Sequence, residues 1–192
     1  MCDEGARVKL PFFTIGHSNR SIRTFAELLR EAQVELLVDI RNVPMSKANP
    51  QFNKNLLPDS LAPFQISYEH IAALGGLRGK AHTLSPDVNG FWTNESFHNY
   101  ADYALSAQFQ AGFAHLLNEG RKRRSAIMGS EAVWWRCHRR IVADYLIASG
   151  EAVFHIMGEG RLEPARITPG AAVRPDGTIV YPASRGTIRT PI

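Results

Sequence analysis

Apolar positions follow two different periods in the first forty residues. Residues 9–15 form an almost continuous apolar run rich in aromatic and β-branched side chains, which is typical of a buried strand. Residues 21–33 place Phe25 and Leu28 on one helical face, and residues 35–40 return to a buried-strand pattern. A strand, a helix and a second strand over such a short stretch predict a βαβ unit, in which the two strands run parallel.

A long loop is predicted next. Residues 42–65 contain four prolines and little periodicity, which indicates an ordered loop with a short helix near residues 53–57. Loops of this length in compact domains are usually functional. Residues 65–70 predict a short third strand, and residues 74–80 form a glycine-rich turn.

The second half of the chain repeats the alternation of helix and strand. Residues 95–118 carry one continuous apolar stripe, which predicts the longest helix, ended by Gly120. Residues 125–128 predict a buried strand, residues 136–149 a helix, and residues 151–157 a final parallel strand.

This order of elements predicts an α/β fold: a single three-layer domain with a mostly parallel central sheet. We assign residues 8–157 to this domain. Residues 158–192 are interrupted by five prolines, and their PDGT segment predicts a turn between AAVR and IVYP. We expect a short Pro-rich C-terminal β-hairpin extension that packs on the same domain.

The composition is that of a globular protein. Of 192 residues, 44% are hydrophobic and 21% are charged. No apolar run approaches the ~20 residues needed to cross a bilayer, so we expect no membrane partner. The N-terminus lacks the apolar segment of a secretion signal, and the two cysteines, Cys2 and Cys137, cannot form a disulfide framework. We therefore expect a cytoplasmic protein.

Positive charge is concentrated in one part of the chain. The formal net charge is +4, and residues 121–140 contain seven cationic side chains and one acidic one, Glu131. Such a segment on a nearly neutral body favours an anionic partner, namely a phosphate, a nucleotide or a nucleic acid. A solvated turn followed by a charged helix face explains the same residues, and the sequence leaves both interpretations open.

Polar clusters follow three of the predicted strands. They are Gly16-His17-Ser18-Asn19, Asp39-Ile40-Arg41 and Gly129-Ser130-Glu131. Because ligands bind outside the carboxyl ends of parallel strands, we expect all three clusters around one pocket. His17, Asp39 and Glu131 are therefore candidate catalytic residues. A helix cap or a carbonyl contact also explains His17, and an ion pair with Arg41 also explains Asp39.

The last candidate is a thiol beside basic side chains. Cys137 lies at the predicted start of helix 136–149 and is followed by His138 and Arg139. Helix N–H groups and nearby cations favour the thiolate, so Cys137 is a candidate nucleophile. The alternative is a small buried packing residue. The spacing of these side chains predicts no metal site, and the sequence identifies no cofactor.

Several motifs of the chain resemble one known family when they are taken in order. They are Phe13-Thr14-Ile15-Gly16-His17-Ser18-Asn19, Leu37-Val38-Asp39-Ile40-Arg41 with Pro44 and Ser46, Tyr68, Leu74-Gly75-Gly76, Ser130-Glu131 and Cys137-His138-Arg139. Together they resemble domain-of-unknown-function family 488 over roughly residues 12–156. The resemblance implies an α/β fold with a polar cluster from these loops, and it supplies no established reaction. Members often carry a cysteine where this chain has Gly129, so the resemblance does not support a two-cysteine mechanism here.

The sequence thus predicts an enzyme for a phosphorylated or nucleotide-like anionic substrate, bound at the carboxyl edge of the sheet. The predicted catalytic residues are His17, Asp39, Glu131 and Cys137. The predicted ligand contacts are Gly16, Ser18, Asn19, Arg41, Ser46, Arg78, Ser130, His138 and Arg139. One alternative is a nucleic-acid-binding module that uses residues 121–124 and tryptophans that stack on bases. Another is a non-catalytic ligand sensor.

Overall fold

The computed structural model describes residues 9–183, and its centre is a six-stranded sheet. In chain order the strands are β1 (Phe12–Gly16), β2 (Leu36–Asp39), β3 (Ser67–His70), β4 (Ser125–Gly129), β5 (Val153–Gly158) and β6 (Arg161–Pro164). They lie in the order β3-β2-β4-β1-β5-β6 across the sheet.

Within residues 9–183, five α-helices and several short 3-10 turns connect the strands. The helices are α1 (Ile22–Glu31), α2 (Leu57–Leu61), α3 (Glu95–Tyr103), α4 (Ala107–Gly120) and α5 (Arg139–Ala148). Two further short strands, β7 (Ala172–Val173) and β8 (Ile179–Val180), form an antiparallel hairpin outside the main sheet.

Strands β1 to β5 pair with one another in parallel, and β6 is antiparallel to β5. Parallel strands need crossover connections, and the helices supply them. This arrangement confirms the predicted α/β class, the mostly parallel sheet and the C-terminal hairpin.

Two hydrophobic cores lie on the two faces of the sheet. Alternate residues of β1 point in opposite directions, so Phe12 packs in the core formed with α3, α4 and α5. Phe13 packs in the other core, with α1 and α2. Because helices cover both faces, the strands are apolar on both faces, which explains their uninterrupted apolar runs in the sequence.

The single helix predicted over residues 95–118 is wrong, because two helices occupy this stretch. The side-chain oxygen of Ser106 accepts a hydrogen bond from the Phe109 N–H at 3.3 Å and starts α4. Both helices bury apolar residues in the same core, so the apolar stripe continues across the break.

The helix predicted over residues 136–149 begins three residues later. Residues 134–136 form a 3-10 turn, and Cys137 is extended, with φ −126° and ψ 144°. Helix α5 starts at Arg139. Cys137 therefore lies just ahead of the helix rather than inside it.

The loop that follows β2 is ordered around one aromatic side chain. The short helix expected near residues 53–57 is displaced to α2, where Pro58 fits the first turn. Phe52 is fully buried, and its ring stacks on that of His17 with centroids 4.5 Å apart. The loop is thereby fixed against the carboxyl end of β1.

Residues beyond Gly158 contact the sheet and helix α5. Strand β6 extends the sheet beside β5, and the Tyr181 hydroxyl donates to Asp144 Oδ2 at 2.8 Å. The Ile179 N–H donates to the Tyr145 hydroxyl at 3.1 Å. Among residues 9–183, no helix has the length and apolar character required to cross a membrane.

Candidate functional site

The polar clusters after β1, β2 and β4 meet at one edge of the sheet. The three strands are neighbours in the order β2-β4-β1 and run parallel, so their carboxyl ends lie side by side. Backbone hydrogen bonds continue past the strands: the His17 N–H donates to the Gly129 carbonyl at 3.0 Å and the Ser18 N–H to the Ser130 carbonyl at 2.9 Å. The structure thus brings the predicted clusters together.

Two glycines make this close approach possible. A Cβ on Gly16 would overlap the backbone carbonyl of Glu131. A Cβ on Gly129 would lie 2.6 Å from the Cys137 sulfur. Gly16, predicted as a ligand contact, therefore lets the loop after β4 pass over the end of β1, and Gly129 leaves space for the thiol.

Asp39 and Arg41 form a buried ion pair at the end of β2. Asp39 is fully buried, and its Oδ2 accepts from Arg41 Nη2 at 2.6 Å and from the Tyr68 hydroxyl at 2.8 Å. Arg41 Nη2 also donates to the Phe52 carbonyl at 2.6 Å. Asp39 therefore serves to hold Arg41, which lines the two cavities described below.

His17 completes this network in its neutral form. An arginine can only donate, so Arg41 Nη1, at 3.2 Å, donates to the unprotonated Nε2 of His17. Nδ1 of His17 then donates to the Ser18 carbonyl at 2.8 Å. Burial, together with the charge of Arg41, lowers the pKa of His17 below its ordinary value. The nitrogen that would accept a proton is engaged, so this contact makes His17 a positioning residue for Arg41.

Cys137 and His138 form a hydrogen-bonded pair. The Cys137 sulfur lies 3.7 Å from His138 Nδ1, and His138 Nε2 donates to the Ile40 carbonyl at 2.8 Å. The carbonyl fixes the ring so that Nδ1 faces the thiol. The Tyr100 ring packs edge-on against the imidazole at 4.9 Å, and a Cβ on Gly76 would come within 2.8 Å of Nδ1. Gly76 and Tyr100 therefore hold the histidine in place.

These surroundings favour the thiolate. Burial alone raises the pKa of Cys137. The charge of His138, its hydrogen bond to the sulfur, and the charge and backbone N–H of Arg139 outweigh that effect and lower the pKa to about 6. This shift favours the thiolate, the form in which a cysteine acts as a nucleophile.

Arg139 is a buried cation without a carboxylate partner among the described residues. Its guanidinium donates to the carbonyls of Glu131 at 2.6 Å and Ala132 at 3.1 Å, and its Nε–H has no acceptor in the described part of the chain. A buried charge needs compensation, and the neighbouring Cys137, whose thiolate form this charge favours, is suited to provide it. Arg139 is only 1% exposed, so it holds the loop after β4 in place and does not reach a ligand directly.

A cleft of about 390 Å³ opens above the thiol. Its walls come from four segments, residues 41–43, 76–77, 96–100 and 130–138. We call it the thiol cleft. Arg41, Glu131, Cys137 and His138 all line it, and Arg136 adds an exposed positive charge to it.

A second cavity of about 480 Å³ lies beside the thiol cleft. It is lined by residues 17–19, by residues 41–49 in part, and by Ser130. We call it the serine–asparagine cavity, because Ser18, Asn19, Ser46, Asn49 and Ser130 supply most of its polar groups. Arg41 and Ser130 line both spaces, so the cavities are contiguous.

Arg78 and the basic run of residues 121–124 lie outside both cavities. Arg78 donates to the carbonyls of Gly75 and Ala72 and stacks over the Tyr103 ring, so it braces the glycine-rich turn. In the run, the first three side chains form ion pairs with Glu151 or Glu119. The fourth donates to a carbonyl of α1's C-terminal turn.

The three tryptophans differ in exposure. Trp92 is buried and stacks on Phe97, and Trp134 stacks on His155. Trp135 is 47% exposed. The first two rings are therefore occupied by internal stacking partners.

Sequence reasoning missed the wall of the thiol cleft that comes from α3. Ser96, Phe97 and Tyr100 line it, although the apolar stripe assigns the two aromatic residues to the core alone. No strand end or motif marks them, so no signal in a single sequence identifies them. Asn42 and Val43 were also missed, and their position directly after Arg41 is the signal that indicates them.

Metal ligation finds no support in the described structure. Among residues 9–183, no group of three or more His, Cys, Asp or Glu side chains is placed to hold a metal ion.

Comparison with known proteins identifies one family. The family model described as Domain of unknown function DUF488 matches residues 21–146. Comparisons with curated proteins and with solved structures gave no match. Since the matched region covers more than half of the sequence and includes β2, β4 and the Cys137–His138 pair, the chain belongs to family DUF488.

Proposed function

We propose that the protein is an enzyme that uses Cys137 as a nucleophile on a phosphorylated or nucleotide-like anionic substrate. The observation that carries this proposal is the geometry of the thiol: its sulfur faces His138 Nδ1 at 3.7 Å, and the other ring nitrogen is fixed by the Ile40 carbonyl. A nucleophile, a base and a group that orients the base are the parts that covalent catalysis needs.

Each part of the reaction has a residue in the thiol cleft. The Cys137 thiolate forms a bond to an electrophilic centre of the substrate while the bond to the leaving group breaks. The leaving group takes a proton from the His138 imidazolium. A water molecule, deprotonated by the then neutral His138, releases the product and restores the thiolate. Glu131 is exposed in the same cleft, where it contacts substrate.

The charge of the site supports an anionic substrate. Arg41, Arg136 and His138 line the thiol cleft, and Glu131 is its acidic residue. One of the two Nη1 hydrogens of Arg41 has no acceptor among the described residues, whereas its other donors are bonded. A buried guanidinium that lines a cavity and keeps an unused donor is suited to bind a phosphate oxygen.

The experiment measures protection of Cys137 from alkylation. A Cys2→Ser variant leaves Cys137 as the one thiol of the chain. We expect iodoacetamide to label it at neutral pH and expect AMP or ribose 5-phosphate to slow the labelling. Adenosine and ribose, which lack the phosphate, serve as matched controls and leave the rate unchanged.

A Cys2→Ser, Cys137→Ser double variant shows that the label reports on Cys137, because it takes up none. The proposal is contradicted if the native thiol resists labelling at neutral pH. It is also contradicted if neither phosphorylated compound slows the reaction.

A further inference from the structure

We infer that the serine–asparagine cavity binds the phosphate group of the substrate, and that this phosphate is not the group that reacts. This inference rests on the proposed function and adds to it a place for the phosphate. It follows from which residues line each of the two contiguous cavities.

The serine–asparagine cavity offers hydrogen-bond donors from several loops. The amide of Asn49 makes no hydrogen bond among the described residues, and neither does the Ser130 hydroxyl. The NH2 group of Asn19 likewise has no acceptor in the described chain. The Ser46 oxygen accepts from the Asn49 backbone N–H at 3.0 Å, so its own hydrogen remains available to a ligand.

The Arg41 guanidinium accompanies these donors. Its charge is paired with the Asp39 carboxylate behind it, and no Asp or Glu is among the described residues that line the cavity. Arg41 is 5% exposed and is locked by Asp39, His17 and the Phe52 carbonyl, so its unused Nη1 hydrogen has a fixed direction. A rigid guanidinium with one unused donor, at the wall of a cavity that is otherwise lined by neutral hydrogen-bonding groups, matches a phosphate group, which offers several acceptor oxygens.

The thiol belongs to the other cavity. Cys137 lines the thiol cleft and is not among the residues that line the serine–asparagine cavity. Arg41 and Ser130 stand between the two spaces and line both. A substrate whose phosphate occupies the serine–asparagine cavity therefore presents a different atom to the sulfur. The substrate class is a phosphomonoester that carries its electrophilic centre away from phosphorus.

The test is a calorimetric titration of the full chain with inorganic phosphate near neutral pH. We expect the Asn19→Ala, Asn49→Ala double variant to bind phosphate at least tenfold more weakly, because each substitution removes a hydrogen-bond donor to a charged group. Asn118→Ala, at an exposed asparagine of α4, is the matched control and binds phosphate as the native protein does. Thermal unfolding verifies that each variant is folded.

A Cys137→Ser variant locates the phosphate relative to the thiol. We expect it to bind phosphate at least as tightly as the native protein. The change removes a negative charge near the phosphate and removes no contact with the phosphate itself. The inference is overturned if native protein does not bind phosphate, if the double variant binds it as tightly, or if Cys137→Ser abolishes binding.

The two proposals fail separately. Loss of phosphate binding in Cys137→Ser would place the phosphate at the sulfur and overturn the inferred phosphate site. The proposal of an enzyme that uses Cys137 on phosphorylated substrates would still stand. If phosphate binds normally but iodoacetamide does not label Cys137, the proposed catalysis is overturned and the inferred phosphate site still stands.

Discussion

At the scale of single residues, the site depends on how Arg41 is held. Its guanidinium contacts a carboxylate, an imidazole nitrogen and a backbone carbonyl, which belong to Asp39, His17 and Phe52. All three acceptors are buried together with the guanidinium. Water therefore does not easily replace a lost acceptor, and each loss destabilises the fold.

Replacing Asp39 by Asn is expected to lower the free energy of unfolding by about 3 kcal/mol, because it leaves the Arg41 charge buried without its partner. Urea denaturation measures this change. Asp87→Asn, at an exposed aspartate, is the control and changes stability by less than about 0.5 kcal/mol. An Asp39→Asn variant as stable as the control would show that Arg41 does not need the carboxylate.

His155 makes stability depend on pH. Burial, with a smaller contribution from the charge of Arg139, lowers the pKa of His155 to about 4. The ring stacks on Trp134 and contacts the Thr14 hydroxyl at 2.7 Å. In the unfolded chain a histidine titrates near 6.5, so the unfolded state binds the additional proton at mildly acidic pH.

The stability that neutral His155 contributes is therefore fully present above about pH 6.5 and is lost as the pH falls toward about 4. We expect the free energy of unfolding to fall by about 3 kcal/mol across this window. Urea denaturation at several pH values tests this expectation. His155→Gln flattens the fall, and His82→Gln, at an exposed histidine, preserves it. Equal slopes in both variants would contradict the assignment.

At the scale of elements, the start of α4 depends on one hydroxyl. We expect Ser106→Ala to lower the free energy of unfolding by about 1 kcal/mol, because the first turn of α4 loses its cap. Ser85 precedes a 3-10 turn without making a capping hydrogen bond, so Ser85→Ala serves as the control and has a smaller effect. Thermal denaturation compares the two, and equal losses would argue against the cap.

The strands and helix α1 were predictable from the sequence, and the break between α3 and α4 and the start of α5 were not. Buried parallel strands appear in a sequence as short apolar runs, and these runs locate β2 and β4 to within one residue and β1 to within three. The break before α4 falls inside a continuous apolar stripe, so only the hydrogen bond of Ser106 reveals it. The start of α5 depends on a 3-10 turn of residues 134–136, which the sequence pattern does not distinguish from helix.

At the scale of the whole molecule, the order of the strands determines where the chemistry lies. Three strand ends with polar clusters are neighbours in the sheet, and this convergence was predictable because parallel strands end at one edge. The roles within the cluster were not predictable. Whether His17 accepts a proton or orients Arg41 depends on a 3.2 Å contact between residues far apart in the chain.

The distribution of charge also takes its meaning from the folded molecule. Ion pairs with Glu119 and Glu151 engage three of the four cations of residues 121–124, whereas Arg41 and Arg136 line the thiol cleft. The sequence alone does not distinguish the paired cations of residues 121–124 from the arginines that line the thiol cleft. The proposal of a small anionic substrate rests on the arginines of the cleft.

The most direct test of the account is the pH dependence of iodoacetamide labelling of Cys137 in the Cys2→Ser variant. The rate, scaled to its plateau at high pH, reports the thiolate fraction independently of how accessible the sulfur is. The structure predicts a half-maximal rate at about pH 6. His138→Asn shifts this midpoint toward the ~8.5 of an ordinary thiol, and His82→Asn leaves it in place. A native midpoint near 8.5, unchanged by His138→Asn, would contradict the claim that His138 and Arg139 hold Cys137 as a thiolate.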